Sequence, residues 1–319
     1  MLLAADIGGT KTQIALYRLT GPVRPKALVT YQTRQFKNLV SLLKTYLSET
    51  GVSPDYASLA VAGTVVRGQV SMVNLGWKFS RAELRHALRV KEVFLLNDLE
   101  AMAFAVPHIT SRYLEPLHQV RRDPRGNIGV IAAGTGLGQA MLIRHGAPYP
   151  IPVATEAGHA EFTPTDDLEW ALYQWLARRF AHVSLERVIS GPGIENIYRF
   201  LCEKEGQKAE LSSAKEISQA ALKGTDPLAK KALEIFIKAY GREAGNLALR
   251  CLATGGVFIG GGIAPKILPL IKSGLLVQTF LEKGRLGDFV KKIPVSVITH
   301  PYPVLLGTAV YGIFHARPG

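Results

Sequence analysis

Two segments of this 319-residue chain share one pattern. Ala4 to Leu16 reads AADIGGTKTQIAL, and Ala132 to Leu142 reads AAGTGLGQAML. Each is an apolar strand, a turn of Gly and Thr, and a second apolar strand, so each predicts a β-hairpin. One recurrence over so long a separation predicts two related halves rather than a solenoid of short repeats. The length agrees, since domains of about 100 to 200 residues put two in such a chain, with enough core to need no disulfide or metal staple.

With hydrophobic residues at 47% and charged residues at 20%, the composition is that of a folded globular protein, neither disordered nor fibrous. No apolar stretch approaches a membrane span, and the first apolar run, Met1 to Ala5, meets Asp6 before a signal-peptide core could form. A cytoplasmic protein without membrane contact is expected. Cys202 and Cys251 stand far apart, with no CxxC or Cys/His cluster around them, so they read as free thiols in the core or at the surface. The unusual quantity is a net charge of +13, from 38 Lys and Arg against 25 Asp and Glu. Such a balance suits anionic partners. The densest basic clusters, Arg121-Arg122 and Lys291-Lys292, are short and lack interleaved aromatics, so no nucleic-acid partner is expected.

Short apolar runs alternate with amphipathic segments along the chain, which predicts an α/β fold. Leu59 to Ala62 and Val93 to Leu96 read as strands. Between them, Ser80 and Glu83 form a capping box that opens a helix through Leu84 and Leu88. Phe36, Leu39, Val40, Leu43 and Leu47 recur at helical spacing ahead of Gly51. The polar stretch from Glu115 to Asn127 reads as a connection. Leu168 to Phe180 predicts a helix, and Asp226-Pro227 opens a long one, with an N-cap followed by Pro in the first helical position. Val257 to Ile259 predicts a strand running into Gly260-Gly261-Gly262, with Pro265 starting the next helix. Val295 to Ile298 and Leu305 to Phe314 close the chain as strand and helix.

Gly-rich turns let backbone amides approach a ligand, and successive amides cradle phosphate oxygens. Neither hairpin turn is a Walker A loop, for no GxxxxGK[ST] occurs, and Gly134-Thr135-Gly136-Leu137-Gly138 lacks the GxGxxG spacing. As a pair, however, two Gly/Thr tips, one per half, can hold a polyphosphate. Asp6 beside the first is suited to hold Mg²⁺ through water. The third Gly cluster, at Gly260 to Gly262, would let backbone approach a base and ribose. Asn97 and Asp98 follow an apolar strand, at the carboxyl end where open α/β sheets place ligands. Asp98 reads equally as the N-cap of a helix starting at Leu99, and Asn97 as a turn residue.

These motifs, in order, resemble a known group. DIGGT as first phosphate loop, AGTGLG as second and GGVFIGGGIAP as adenosine loop resemble the actin-like, hexokinase and heat-shock ATPase superfamily. The sequences NDL, EAGH with an acidic residue two further on, and ERVISGPG resemble the bacterial glucokinase family. The resemblance runs from Asp6 to about Gly307. It implies a two-lobed actin-like ATPase fold of the ribonuclease H type with a cleft between α/β lobes. The small domain would be residues 1–107 completed by 301–319, the large one 108–300.

The implied activity is transfer of phosphate from ATP to the 6-hydroxyl of glucose, feeding glycolysis, in a homodimer. Asp98 would be the catalytic base, with Asn97, Asp98, Glu156, His159 and Glu186 around the sugar. Asp6, Ile7, Gly8, Gly9, Thr10 and Lys11, then Gly134, Thr135, Gly136 and Gly138, then Gly260, Gly261 and Gly262 would hold the nucleotide, and Asp6 the Mg²⁺. Thr155 and Ala157 flank Glu156 where the pattern usually has Gly. The zinc cluster CGCGxxGC of the repressor/ORF/kinase branch is missing, since no Cys precedes Cys202. A kinase for another hexose or amino sugar, or an actin-like nucleotide-binding protein without turnover, are the alternatives.

Overall fold

The computed structural model describes residues 1–72, 74–147 and 149–316. It divides the chain into two compact units. The first joins Met1–Thr110 to the C-terminal segment from His300, and the second is Ser111–Thr299. Residues 317–319, expected at the end of the small domain, lie outside the described residues.

In the first unit, β1 (Leu2–Ile7), β2 (Lys11–Tyr17), β3 (Lys26–Gln32) and β4 (Tyr56–Val61) are followed by a small antiparallel sheet. That sheet comprises β5 (Thr64–Val66), β6 (Gln69–Met72) and β7 (Trp77–Ser80), and β8 (Glu92–Asn97) comes after it. The main sheet has the order β3-β2-β1-β4-β8. The β1–β2 hairpin is antiparallel, whereas β4 and β8 run parallel to β1. The first strand is apolar on both faces because both are covered. Leu3, Ala5 and Ile7 pack with Leu39, Leu42, Leu43 and Tyr46 of helix Leu39–Thr50 and with Leu84 and Leu88 of helix Arg81–Leu88. Leu2 and Ala4 pack with Leu305, Ala309 and Ile313 of the C-terminal helix Pro303–Ala316. The capping box at Ser80 and Glu83 forms as expected, and Gly51 ends the earlier helix in the left-handed conformation, φ 64°.

The second unit repeats the scheme with β9 (Leu114–His118), β10 (Ile128–Ala133), β11 (Leu137–Ile143), β12 (Ile151–Thr155), β13 (Val257–Gly260) and β14 (Val295–Ile298). Its sheet has the order β12-β11-β10-β13-β14-β9. The first five positions reproduce the connectivity and directions of the first unit's main sheet. The two related halves expected from the recurring hairpin are therefore present. Helix Pro227–Cys251, capped by Asp226, packs on β10, with Leu247 against Gly129.

Two expectations need correction. Within the supposed connection Glu115–Asn127, residues up to His118 belong to β9, which pairs antiparallel with β14. An edge strand with its polar residues half-exposed lacks the apolar run that marks a buried strand. Pro265 opens a 3₁₀ turn, Ala264–Ile267, that passes into the short helix Leu268–Ile271. The turn has no side-chain cap to start a longer helix. Cys202 and Cys251 are both buried free thiols. Among the described residues no helix is long and apolar enough to cross a membrane.

The C-terminal helix crosses helix Asp98–Ala105 at backbone contact. A Cβ on Gly307 would stand 1.7 Å from the Ala101 carbonyl oxygen. Gly307→Ala should force the helices apart and destabilise the first unit by about 1 to 3 kcal/mol, the usual cost of overpacking. Urea unfolding followed by circular dichroism would measure it; a midpoint equal to the parent's would contradict this packing.

Candidate active site

The parallel register of the first sheet sets its functional edge. Asp6 lies beside Ala60, which lies beside Leu96; one residue on, Ile7, Val61 and Asn97 share a row. Asp6 and Asp98 thus emerge at the carboxyl ends of strands two positions apart. The Asp6 carboxyl is pushed up to about 7, first by burial and then by the Asp98 carboxylate. Two acidic groups share this edge, and the charged form of one is disfavoured by the other.

Asn97 is the N-cap of helix Asp98–Ala105, and its Oδ1 accepts from the Leu99 N–H at 2.9 Å. Its Nδ2 donates to the Gly63 carbonyl, and Glu100 accepts from the Asn97 N–H to complete a capping box. The cap is therefore Asn97, not Asp98. Asp98 occupies the first helical position, where its Oδ1 also accepts from Leu99 N–H and the helix dipole favours a negative charge.

The turn between β1 and β2 is held from below. The Gly8 N–H donates to the Lys11 carbonyl, and a Cβ on Gly8 would meet that oxygen at 2.9 Å. The Thr33 hydroxyl donates to the Gly8 carbonyl at 2.9 Å and lies 2.9 Å from the Thr12 hydroxyl. The Thr33 N–H donates to the Thr10 carbonyl. Among the described residues the N–H groups of Gly9 and Thr10 are left without an acceptor. Ile7 is buried at the end of β1, and Thr10 and Lys11 are exposed.

The second unit gathers its own set. The Gly134 N–H donates to the Gly136 carbonyl, closing the turn between β10 and β11, and the Gly191 N–H donates to the Gly134 carbonyl. Thr135 sits at the tip. Gly138 lies inside β11, paired with Ala132, rather than in the turn. Glu186 Oε2 accepts from the Leu137 N–H at 3.0 Å, and a Cβ on Gly136 would stand 2.4 Å from that oxygen. Glu156 and His159 bracket a 3₁₀ turn and face each other at 4.0 Å, both exposed. That turn is pressed onto β11, for a Cβ on Gly158 would meet the Leu137 carbonyl at 2.0 Å. Gly260 ends β13, Gly261 follows with φ 84°, and Gly262 has open space around it. The buried Tyr240 hydroxyl accepts from the Ala133 N–H and lies 3.1 Å from the Ile131 carbonyl, fixing the strand end beneath both turns.

The edge of the first unit thus brings together Asp6, the Gly8–Lys11 turn, Asn97 and Asp98. The edge of the second brings together the Gly134–Gly136 turn, Glu156, His159, Glu186 and Gly260–Gly262. The family model for glucokinase matches residues 3–313. The chain belongs to the glucokinase family. Glucokinase of Synechocystis is 37% identical, over 97% of this chain and 96% of its own length. That of Caulobacter vibrioides is 38% identical, over 97% and 94%. The crystal structure of a glucokinase from an Antarctic psychrotroph superposes with a TM-score of 0.88 at 34% identity, covering 97% of this chain and 98% of that one. The resemblance carried by the ordered motifs is borne out. The chain is an enzyme that phosphorylates glucose with ATP, built on the actin-like ATPase fold.

In this glucokinase the residues that shape the turns escaped the sequence reading. Thr12 and Thr33 brace the first turn, and Ser190, which donates to the Glu186 carbonyl at 2.6 Å and accepts from Gly193 N–H, braces the second. Only Ser190 had a signal, as an N-cap before Gly-Pro. Thr33→Val should leave the Gly8 carbonyl unpaired in a largely buried place, at a cost of about 1 to 3 kcal/mol. Faster amide exchange from Gly8 to Lys11, with a lower unfolding midpoint, is the expected result; unchanged exchange would remove Thr33 from this role.

Proposed function

We propose that Asp98 is the general base of glucose phosphorylation. The supporting observation is its place just past the carboxyl end of β8, half-buried, and close enough to Asp6 at the end of β1 to raise the Asp6 carboxyl. The 6-hydroxyl oxygen of glucose attacks the γ-phosphorus, the bond to the ADP oxygen breaks, and the hydroxyl proton passes to the Asp98 carboxylate. The Asn97 cap fixes the start of the helix and so the carboxylate's position. Its Oδ1 keeps a second lone pair and its Nδ2 a second hydrogen for a sugar hydroxyl. Glu156, His159 and Glu186 supply further acceptors and donors to the sugar. The turn amides of Gly134 to Gly136 and the open backbone at Gly260 to Gly262 take the nucleotide.

Asp6 suits Mg²⁺ held through water. A carboxyl whose charge is disfavoured by burial and by Asp98 is one that a cation would restore to the ionised form. The ion would neutralise charge on the phosphates. A cytoplasmic homodimer completes the reading, and sedimentation equilibrium tests the dimer.

Asp98→Asn keeps the shape but cannot accept the proton, so kcat should fall about 10² to 10⁴-fold with glucose affinity little changed. A variant that keeps more than about a tenth of parental turnover would make Asp98 a positioning residue. The raised Asp6 pKa gives a second expectation. In the free protein Asp6 takes up a proton as pH falls through about 7, so its contribution to stability is full below the ordinary carboxyl value of 3.8 and is lost as pH rises through about 7. Mg²⁺–ATP binding near pH 6.5 should therefore release a proton. Calorimetry in buffers of different ionisation enthalpy would show it, and Asp6→Asn should abolish it. Proton release of the same size in that variant would place the titrating group elsewhere.

A further inference from the structure

A charged feature that catalysis leaves unused lies on the small sheet of the first unit. The turn between β5 and β6, the start of helix Arg81–Leu88 and the first residue of β8 enclose a depression of about 670 Å³. Arg67, Arg81, Arg85 and His86 line it, together with Gln69 and Glu92. The Arg81 N–H donates to the Gly68 carbonyl at 2.9 Å, which ties the helix to the turn. Arg85 follows one helical turn later, on the same side as Arg81.

The three arginines are exposed, and none of them forms a salt bridge among the described residues. Two carboxylates on the same elements are partly engaged by hydrogen bonds. Glu83 is held in the capping box by the Ser80 N–H and hydroxyl, and Glu92 Oε1 accepts from the Val93 N–H. A pocket in the second unit, of about 320 Å³, shows the contrast. There Arg242 pairs with Glu169 and Arg250 with Glu243, so its guanidiniums are neutralised from within. Arg67 also sits at φ 49° ahead of Gly68 at φ 75°, a turn in which Asn or Gly is the unstrained choice. The guanidinium is held there against local backbone preference.

Three guanidiniums gathered with one lining carboxylate, and without a salt bridge among the described residues, raise the local potential and match a phosphate dianion in bidentate geometry. The size is within the range of small-molecule sites. Gln69, and the second oxygen of Glu92, remain for hydroxyl groups, and one carboxylate in the lining works against a long polyanion. We propose that this depression binds a sugar phosphate, separately from the catalytic edge, and so gives part of the +13 charge a use.

The test uses the full chain with its active site filled by saturating glucose and a non-hydrolysable ATP analogue. Glucose 6-phosphate is titrated in calorimetrically, with inorganic phosphate in a parallel arm. One saturable site for glucose 6-phosphate is expected, weakened about tenfold or more by Arg67→Gln and by Arg85→Gln, since each removes a charge-assisted hydrogen bond. Both side chains are exposed, so kcat and KM without added phosphate should match the parent. Inorganic phosphate should bind at least about tenfold more weakly, lacking the hydroxyl contacts. No saturable heat up to about 10 mM, about tenfold above a dissociation constant of 1 mM, would overturn the proposal. So would equal affinity in both arginine variants, equal binding of inorganic phosphate, or saturable binding of a DNA duplex by these arginines in place of the sugar phosphate.

Discussion

The central strands of both sheets are buried on two faces, and this constraint decides where polar chemistry can stand. From Leu2 to Ala5 and from Ile128 to Ala132 the side chains belong to packed cores, so a charged group in the body of the strand would lose its water without a partner. Asp6 is the first acidic residue that β1 can carry, and it comes where the strand is about to end. Asn97 ends β8 and Asp98 follows it, at the equivalent place. The functional edge is thus a by-product of two-sided burial. Parallel pairing of β1, β4 and β8 brings those strand ends into one row.

Crowding acids at that row has an electrostatic price that a ligand can remove. Burial and the neighbouring carboxylate keep Asp6 close to half-protonated at neutral pH. The free protein is therefore poised between charge states, and a cation or a proton can satisfy the same oxygen. In the second unit the acidic member is handled differently. Glu186 spends one oxygen on the Leu137 N–H, so a backbone turn compensates its charge.

Much of this was legible in the sequence where the signal is local. The two hairpins, the capping box at Ser80, the Asp226-Pro227 start and the strand before Asn97 each follow from adjacent residues. The edge strand Leu114–His118 was hidden because its partner, Val295–Ile298, is remote and its pattern is half polar. The small sheet β5-β6-β7 was missed for a related reason, since its strands are short and one, Thr64–Val66, is mostly exposed. In the candidate site, Asp6, Asp98 and the Gly turns were named from motifs, but the supports were not. Thr33 reaches Gly8 across the sheet, and nothing near Thr33 in the chain announces that contact. Asn97 was read toward a ligand, although its nearest use is to cap the helix that follows it.

The C-terminal helix also imposes an order on synthesis. Leu2, Ala4, Ala15 and Tyr17 form one face of the first sheet, and that face is covered by Leu305, Ala309 and Ile313. A ribosome that has released the first 110 residues has made every strand of this sheet but not its cover. The cover arrives roughly 190 residues later, about 10 to 40 s at ordinary elongation rates. The second unit, continuous in the chain, is complete before then. Until then the face formed by Leu2, Ala4, Ala15 and Tyr17 lacks the residues that cover it in the finished fold.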